Sequence, residues 1–433
     1  MQENNKTQIK KWYSAIIVLL PILNIYSAGI SSLGIGDVFC VIIIVFLLLK
    51  NKGKVRISER NYGRFALYFL LISFILAIVI NEYSMRQFIL KGLRFLVYTI
   101  LIICYGKDSF DAEFGFDFYI NVSVIAAVYL ILQYIFKTFF SVTLPMTIPY
   151  LKLLYTDSTG AIYNEELLNM YSIFGYRAPG FFKEPSHFCQ YVSLSVALLL
   201  FRPSLKARRN ILITIIVAAI IVSYSAIGYI SLIVTIVFWF IFSFRDRRLT
   251  NNILIMVIGT VSLVWLSVAS GAYSSAVSRI QTINYTYAAT GNLRLLRGFY
   301  VYKEMPTLFK IIGIGCGNYS AFIDKFGIQT FFDGRVDKHV EYMSAISCVL
   351  VNSGIIGIGL FFAGLIEIFR KTNLIQKILF VNFIILLVAT SSFFSAIYVL
   401  YMVFLVADMS SSRDARNTIT LEGLSYSAKI NHD

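Results

Sequence analysis

Charge is scarce in this 433-residue chain: Asp, Glu, Lys and Arg make up 14% of it, while 58% is hydrophobic. A water-soluble domain carries roughly 25% charge and about 45–50% apolar residues. No aqueous core of this size hides such an excess, so a soluble globular fold is excluded. Histidine is scarcer still, with three in the chain. The five cysteines form no Cys-x-x-Cys pair, and no Asp-x-Asp occurs. That leaves no pattern for a zinc site, a disulfide framework or a metal-nucleotide site, so neither a metal nor a cofactor is expected. Acid is the minor sign, 23 Asp and Glu against 38 Lys and Arg. In a soluble protein that imbalance would suggest nucleic acid. In an apolar chain it is expected of cytoplasmic loops, and nucleic acid is not an expected partner.

What the chain has instead is long apolar runs, with a mean hydropathy of +0.74. A spanning helix needs about 20 apolar residues. Runs of that kind predict an all-α polytopic membrane protein of about twelve transmembrane helices, eleven being the alternative, with residues 1–433 as one integral membrane domain. The spans fall near Trp12–Ile30, Ile35–Leu49, Phe65–Ile80, Phe88–Tyr105, Phe116–Phe136, Ser186–Phe201, Ile253–Ser270 and Ser344–Phe369. Two more stretches, 211–242 and 378–407, read as hairpins of short spans or as re-entrant pairs. The first span has no small-residue cleavage site after its apolar core and is expected to be kept. Bases cluster in short loops such as "KNKGKVR" (Lys50–Arg56), which places those loops and both termini inside, the polar tail 409–433 included.

Two long segments, 137–185 and 271–343, then lie outside. Loops of that length are usually functional, and their Tyr, Phe and Leu content suggests caps on the membrane surface. Expected amphipathic helices are "IPYLKLLY" (Ile148–Tyr155), "NEELLNMYSIF" (Asn164–Phe174) and "NLRLLRGFYVYKEM" (Asn292–Met305). Lys91 and Arg94 fall within the fourth span and are expected to face protein or water.

Three constellations carry candidate chemistry. In "YRAPGFFKEPSHFCQY" (Tyr176–Tyr191), Pro185 suits the first position of a helix whose N-terminus points outward. Free N–H groups there favour an anion such as phosphate, and Arg177 folds toward the same point through a bend at Pro179 and Gly180. Glu184 and His187 lie within a turn of it and are candidates to accept a proton from a hydroxyl. The plainer alternative is that Glu184 caps the helix and pairs with Arg177. In the second constellation, Arg294 and Arg297 share a helix face as a candidate diphosphate clamp, ahead of the Gly-rich turn "GIGCGNY" with Gly313, Gly315 and Gly317. The alternative is that both arginines snorkel to head groups. In the third, His339 and Glu341 approach another helix N-terminus, and Gly354, Gly357 and Gly359 would permit close helix packing.

The order Arg-x-x-Gly-x-Phe-x-Glu-Pro-Ser, an Arg-rich second loop closing on "GIGCGNY", and Gly-Ile-Ile-Gly in the next span resembles the O-antigen and capsular polysaccharide polymerases. Arg297, sixteen residues before Gly313, is similar to the Arg-to-Gly spacing of their second periplasmic loop. The resemblance implies a metal-independent glycosyltransferase on the outer face of a bacterial inner membrane. Such an enzyme moves a growing glycan from undecaprenyl diphosphate onto the non-reducing end of the next lipid-linked repeat unit, beside a chain-length regulator. By that resemblance Arg177, Arg294 and Arg297 would hold the diphosphate, and Glu184 or His187 would position or deprotonate the acceptor hydroxyl. The related O-antigen ligases place a His eleven residues before the Gly-x-x-Gly, where this chain has Met343; His339 lies one helical turn earlier as the third catalytic candidate. The alternatives are therefore an O-antigen ligase or a flippase for lipid-linked oligosaccharides. Transporters, however, usually put charge at mid-membrane and show internal repeats.

Overall fold

With no water to bond to inside a bilayer, the backbone satisfies itself as helix, and the apolar runs fold accordingly. The computed structural model describes residues 2–29, 33–154, 159–160, 162–166, 168, 176–201, 206–243, 290–330, 337–391 and 393–409. Among them regular structure is helical, joined by isolated β-bridges at Tyr26–Leu153, Ser27–Gly34 and Lys152–Thr159. In chain order the helices are α1 (Gln2–Leu23), α2 (Ile35–Lys50), α3 (Arg60–Val79), α4 (Met85–Ser109) and α5 (Ala112–Phe140). There follow α6 (Pro185–Phe201), α7 (Lys206–Val222), α8 (Ala226–Ser243), α9 (Thr290–Glu304), α10 (Thr307–Ile312) and α11 (Tyr319–Lys325). The last are α12 (Ala345–Lys371), α13 (Leu374–Ala389) and α14 (Ala396–Val406). Four of these, α3, α4, α5 and α12, are long and apolar enough to cross a membrane. The protein is thus a helical, membrane-type bundle.

Helices apolar on every side are buried by their neighbours, whereas those with one packed face offer the other to lipid. Residues Phe188–Leu200 of α6 and all of α14 are buried, so these two short helices form the centre. By contrast α3 exposes Leu67, Leu71, Ile75, Ile78 and Val79 on its outer side while Phe65, Phe69 and Leu76 face the core.

The stretch 211–242 is two helices broken at Ser223–Ser225, where Tyr224 turns through φ +51°. The segment 378–407 falls within α13 and α14, which are likewise separate. Three expectations are corrected. Ile148–Leu154 is not an amphipathic helix: it runs as turns and bridges because Leu153 pairs with Tyr26, and Leu154 N–H bonds the Ile25 carbonyl at 2.9 Å. The first helix ends at Leu23 instead of Ile30, since the chain leaves it to place Asn24 against Asp37. Gly354 does more than pack: at φ +64° it breaks α12, and a Cβ there would collide with the Ile311 backbone of α10. Gly359 faces open space, whereas Gly357 lies close to Tyr68 and Gly364 to Tyr62, and these two let α12 lie against α3. Positions 162–166 are helical, as read for Asn164–Phe174, whereas 169–175, the expected span at 253–270 and the tail 410–433 lie outside the described residues.

The break at Gly354 is filled by the Gly-rich turn. Ile314 and Gly315 N–H groups bond the Val351 and Asn352 carbonyls at 3.1 and 3.0 Å, and Cys316 N–H bonds Ser73 Oγ at 2.8 Å. Gly313, at φ +87°, lies so close to Asn352 and Ser353 that any Cβ would collide with their backbone.

The intramembrane charges face protein, as expected. Lys91 pairs with Glu341 at 3.1 Å. Arg94 forks onto Asp37 Oδ2 through Nε at 3.0 Å and a terminal nitrogen at 2.6 Å. Tyr98 and Asn24 donate to Asp37 Oδ1 at 2.6 and 2.9 Å, and Gly34 N–H donates to Oδ2 at 2.9 Å. Removing one member of a buried pair strands the other charge and costs roughly 3–5 kcal/mol. Asp37→Ala should therefore lower the melting temperature of detergent-solubilised protein sharply. The double change Asp37→Leu/Arg94→Leu should lose less than Asp37→Ala alone, because neither charge is left stranded.

Candidate active site

Pro185 opens α6, as its fixed φ and missing N–H favour at a helix start. The Glu184 carbonyl accepts from His187 and Phe188 N–H at 3.0 and 3.2 Å. The bend before it is locked at Gly180, φ +67°, whose N–H and C=O both bond the Gln133 side chain of α5 at 2.9 Å. The Glu184 carboxylate thus stands at the N-terminus of the central helix, with Ser186 Oγ donating to it at 2.9 Å.

From the other long loop, α9 brings Arg294 to Glu184 at 3.7 Å. Arg294 Nε donates to the Tyr342 hydroxyl, and its guanidinium lies over that ring, 4.8 Å from the centroid. The Arg294 carbonyl accepts from Ser344 N–H at 2.7 Å, fixing α9 against the start of α12. Two segments more than a hundred residues apart therefore meet at one ion pair.

Burial works against ionising Glu184. The facing His187 and Arg294, the Ser186 hydroxyl and Arg177 outweigh it and hold the carboxyl below the usual carboxylate range. Burial also lowers Lys183, with Glu184 opposing, while the Lys183 ammonium donates to the Leu154 carbonyl at 2.8 Å. Among the described residues the His187 ring makes no hydrogen bond. It is exposed to a cavity of about 200 Å³ that Lys183, Gln190, Arg94 and Tyr98 also line. The ring is open to the cavity while the Glu184 carboxylate is engaged by Arg294 and Ser186, so His187 is the better placed of the two to take a proton.

The remaining sequence candidates fall elsewhere. Arg177 reaches the turn between α7 and α8, donating to the Tyr224 carbonyl at 2.7 Å, and adds positive charge near Glu184. Arg297 does not join Arg294 in an open clamp. It is 1% exposed and donates to the carbonyls of Val340, Lys338 and Asp337 at 2.8, 3.0 and 3.2 Å, because the 337–344 segment folds over the face that the two arginines share. His339 turns outward to Ser320 Oγ at 2.9 Å and Asp324 at 3.3 Å, away from Glu184. Gly313, Gly315 and Gly317, at φ +87°, +78° and +87°, thread the turn between α12, Ser73 and Gln87 instead of cradling a ligand.

Glu341 points inward where His339 does not. Although burial opposes it, Lys91, Asn352 and Cys348 hold its carboxyl below the usual range. Sequence reasoning did not single out Tyr342, Asp37 or Gln190. The only signal for Asp37 was its place as the lone acid at the head of an apolar run.

No protein-family model matches this chain, and no match was found among curated proteins or solved structures.

Since Arg297 ties three carbonyls with one planar fork, a lysine point charge cannot replace it. Arg297→Lys should lose about 1–3 kcal/mol of stability through carbonyls left without donors. Limited proteolysis should then cut near 337–344 in the variant and spare the parent; equal resistance of the two would contradict the carbonyl cage.

Proposed function

We propose that the protein is a repeat-unit polysaccharide polymerase of the O-antigen and capsule type. In this reading it transfers a growing glycan from undecaprenyl diphosphate to a hydroxyl at the non-reducing end of the next lipid-linked unit. The supporting observation is the meeting of the two long loops at Glu184 and Arg294, beside a His187 ring that makes no hydrogen bond among the described residues. The acceptor oxygen attacks the anomeric carbon, its proton passes to His187, and the bond to the diphosphate breaks with its electron pair on the leaving oxygen. Arg294, oriented by Glu184 and Tyr342, offsets the charge that develops there, with Arg177 and Lys183 adding to the positive field. Arg297 acts at one remove, by shaping the segment that carries Tyr342.

The topology that goes with this reading has about twelve spans in a bacterial inner membrane, both termini inside and the site on the outer face. The lipid bilayer and lipid-linked oligosaccharides are then partners, with a chain-length regulator beside them. A flippase is the second reading, because broken helices such as α12 are common in transporters. In transporters, however, such breaks line the substrate path, whereas here the turn at Gly313–Cys316 plugs the break with its own N–H groups.

The deciding experiment is the polysaccharide ladder on a gel from cells lacking the gene, complemented at matched expression. Wild type should restore the ladder. Arg294→Ala and His187→Ala should each leave mainly the single repeat unit, with chain extension down by about 10²–10³-fold for Arg294→Ala. Loss of even the single unit on deletion would instead mean that export or ligation is the missing step, and the polymerase reading would fall.

A further inference from the structure

The cavity beside His187 lies among the ends of α1, α6 and α14, and its polar lining differs in kind from the ion pair at Glu184. Its charged pair is neutral overall. Arg94 forks onto Asp37 at 2.6 and 3.0 Å, so its positive charge is matched by a carboxylate. Gln190 also lines it, three residues beyond His187 on the same face of α6. The Gln190 residue is 5% exposed, and among the described residues its side-chain amide makes no hydrogen bond. Facing the cavity without such a bond, this amide is available to bond a guest there.

The chemistry of that guest can be read from the lining. An amide offers two donors and an acceptor, which matches hydroxyl groups better than an anion that can only accept. A phosphate would find no uncompensated charge at Arg94, and the Lys183 ammonium at the edge of the cavity already donates to the Leu154 carbonyl, while Arg294 does not line the cavity. The Phe182, Phe394 and Ile397 side chains supply apolar surface of the sort the C–H face of a sugar covers. A prenyl tail would strand the Gln190 amide. At about 200 Å³ the cavity is smaller than the roughly 300–1,000 Å³ of pockets for drug-sized ligands, so it takes one ring and not an oligosaccharide.

We propose that this cavity is a binding subsite for a single uncharged sugar ring, held through its hydroxyls by the Gln190 amide and set against the His187 ring. As an account of which ring is held, the one offering the attacked or attacking oxygen, it rests on the polymerase reading. As a sugar site it stands apart from that reading.

The test is saturation-transfer NMR on the full-length protein in detergent micelles. Free hexoses and N-acetylhexosamines serve as probes, and inorganic pyrophosphate binding is followed in parallel by ³¹P line broadening. Gln190→Met keeps length and bulk but removes the donors, and Ala396→Phe fills the cavity from its wall. At least one neutral sugar should show transfer to wild type. That signal should fall about 2–10-fold in Gln190→Met, the worth of one lost hydrogen bond, and vanish in Ala396→Phe, with pyrophosphate broadening unchanged in both. If Ala396→Phe melts well below wild type, Gln190→Met decides alone. The proposal is overturned by three results: no sugar signal in wild type, which means a water-filled cavity; a signal that both variants leave intact; or loss of pyrophosphate binding in Gln190→Met, which means an anion site. Sugar binding without any effect of gene deletion on the ladder would sink the polymerase reading and leave the subsite standing. A ladder that depends on the gene with no sugar signal would do the reverse.

Discussion

A charge inside an apolar bundle has no water to turn to, and the cost of leaving it unmatched exceeds what most single contacts supply. Much of the architecture around the candidate site follows from that constraint. The buried Glu341 carboxylate takes Lys91 of α4 together with Asn352 and Cys348, so the segment before α12 is drawn down onto the bundle. Arg297, buried on α9, requires the carbonyls of 337–340, which closes the same segment from the other side. Held at both ends, the segment presents Tyr342 to Arg294, and Arg294 is left facing Glu184. The ion pair that joins the two long loops is therefore the last contact in a series that begins with a lysine inside a helix.

Broken and short elements serve the same end. The central helix α6 is only 17 residues long, yet it is buried nearly throughout, so its length answers to its neighbours and not to the thickness of a bilayer. Its N-terminus can sit below the surface, where the α5 glutamine Gln133 grips the Gly180 bend and sets the entry angle. α12 gives up regular geometry at Gly354 so that the Gly-rich turn can enter, which anchors the end of the second loop against α3.

Among the described residues most helix positions were legible in the sequence, because hydropathy reports on the backbone's need to satisfy itself, although only four of these helices are long and apolar enough to cross a membrane. The start of α6 at Pro185 and the break inside 211–242 could be read off for the same reason, each resting on a local backbone rule. Pairings across the bundle could not. That Arg294 and Arg297 share a face follows from helical spacing, but which of them stays open depends on where residues 337–344 fold, some forty positions away. Gly354 read as a packing glycine, and it does admit α10, but sequence shows the missing Cβ and not the φ that also breaks α12. Ile148–Leu154 had helical periodicity but lost it to a bridge with Tyr26, a contact more than a hundred residues distant.

The division between the two polar regions carries the chemistry furthest. Around Glu184, the positive groups Arg294, Arg177 and Lys183 outnumber its carboxylate, and the surplus suits a group of high negative charge. Inside, Arg94 and Asp37 cancel, and apart from Lys183 at the edge the lining is amide, phenol and largely apolar side chains. His187 stands between the two regions, belonging to the cavity by its exposure and to the charged cluster by its field on Glu184. A substrate with an anionic end and a neutral, hydroxyl-rich end would be oriented by that difference alone, before any specific contact forms. Its junction between phosphate and sugar, the bond a transfer reaction must break, would then fall beside the His187 ring, which makes no hydrogen bond among the described residues.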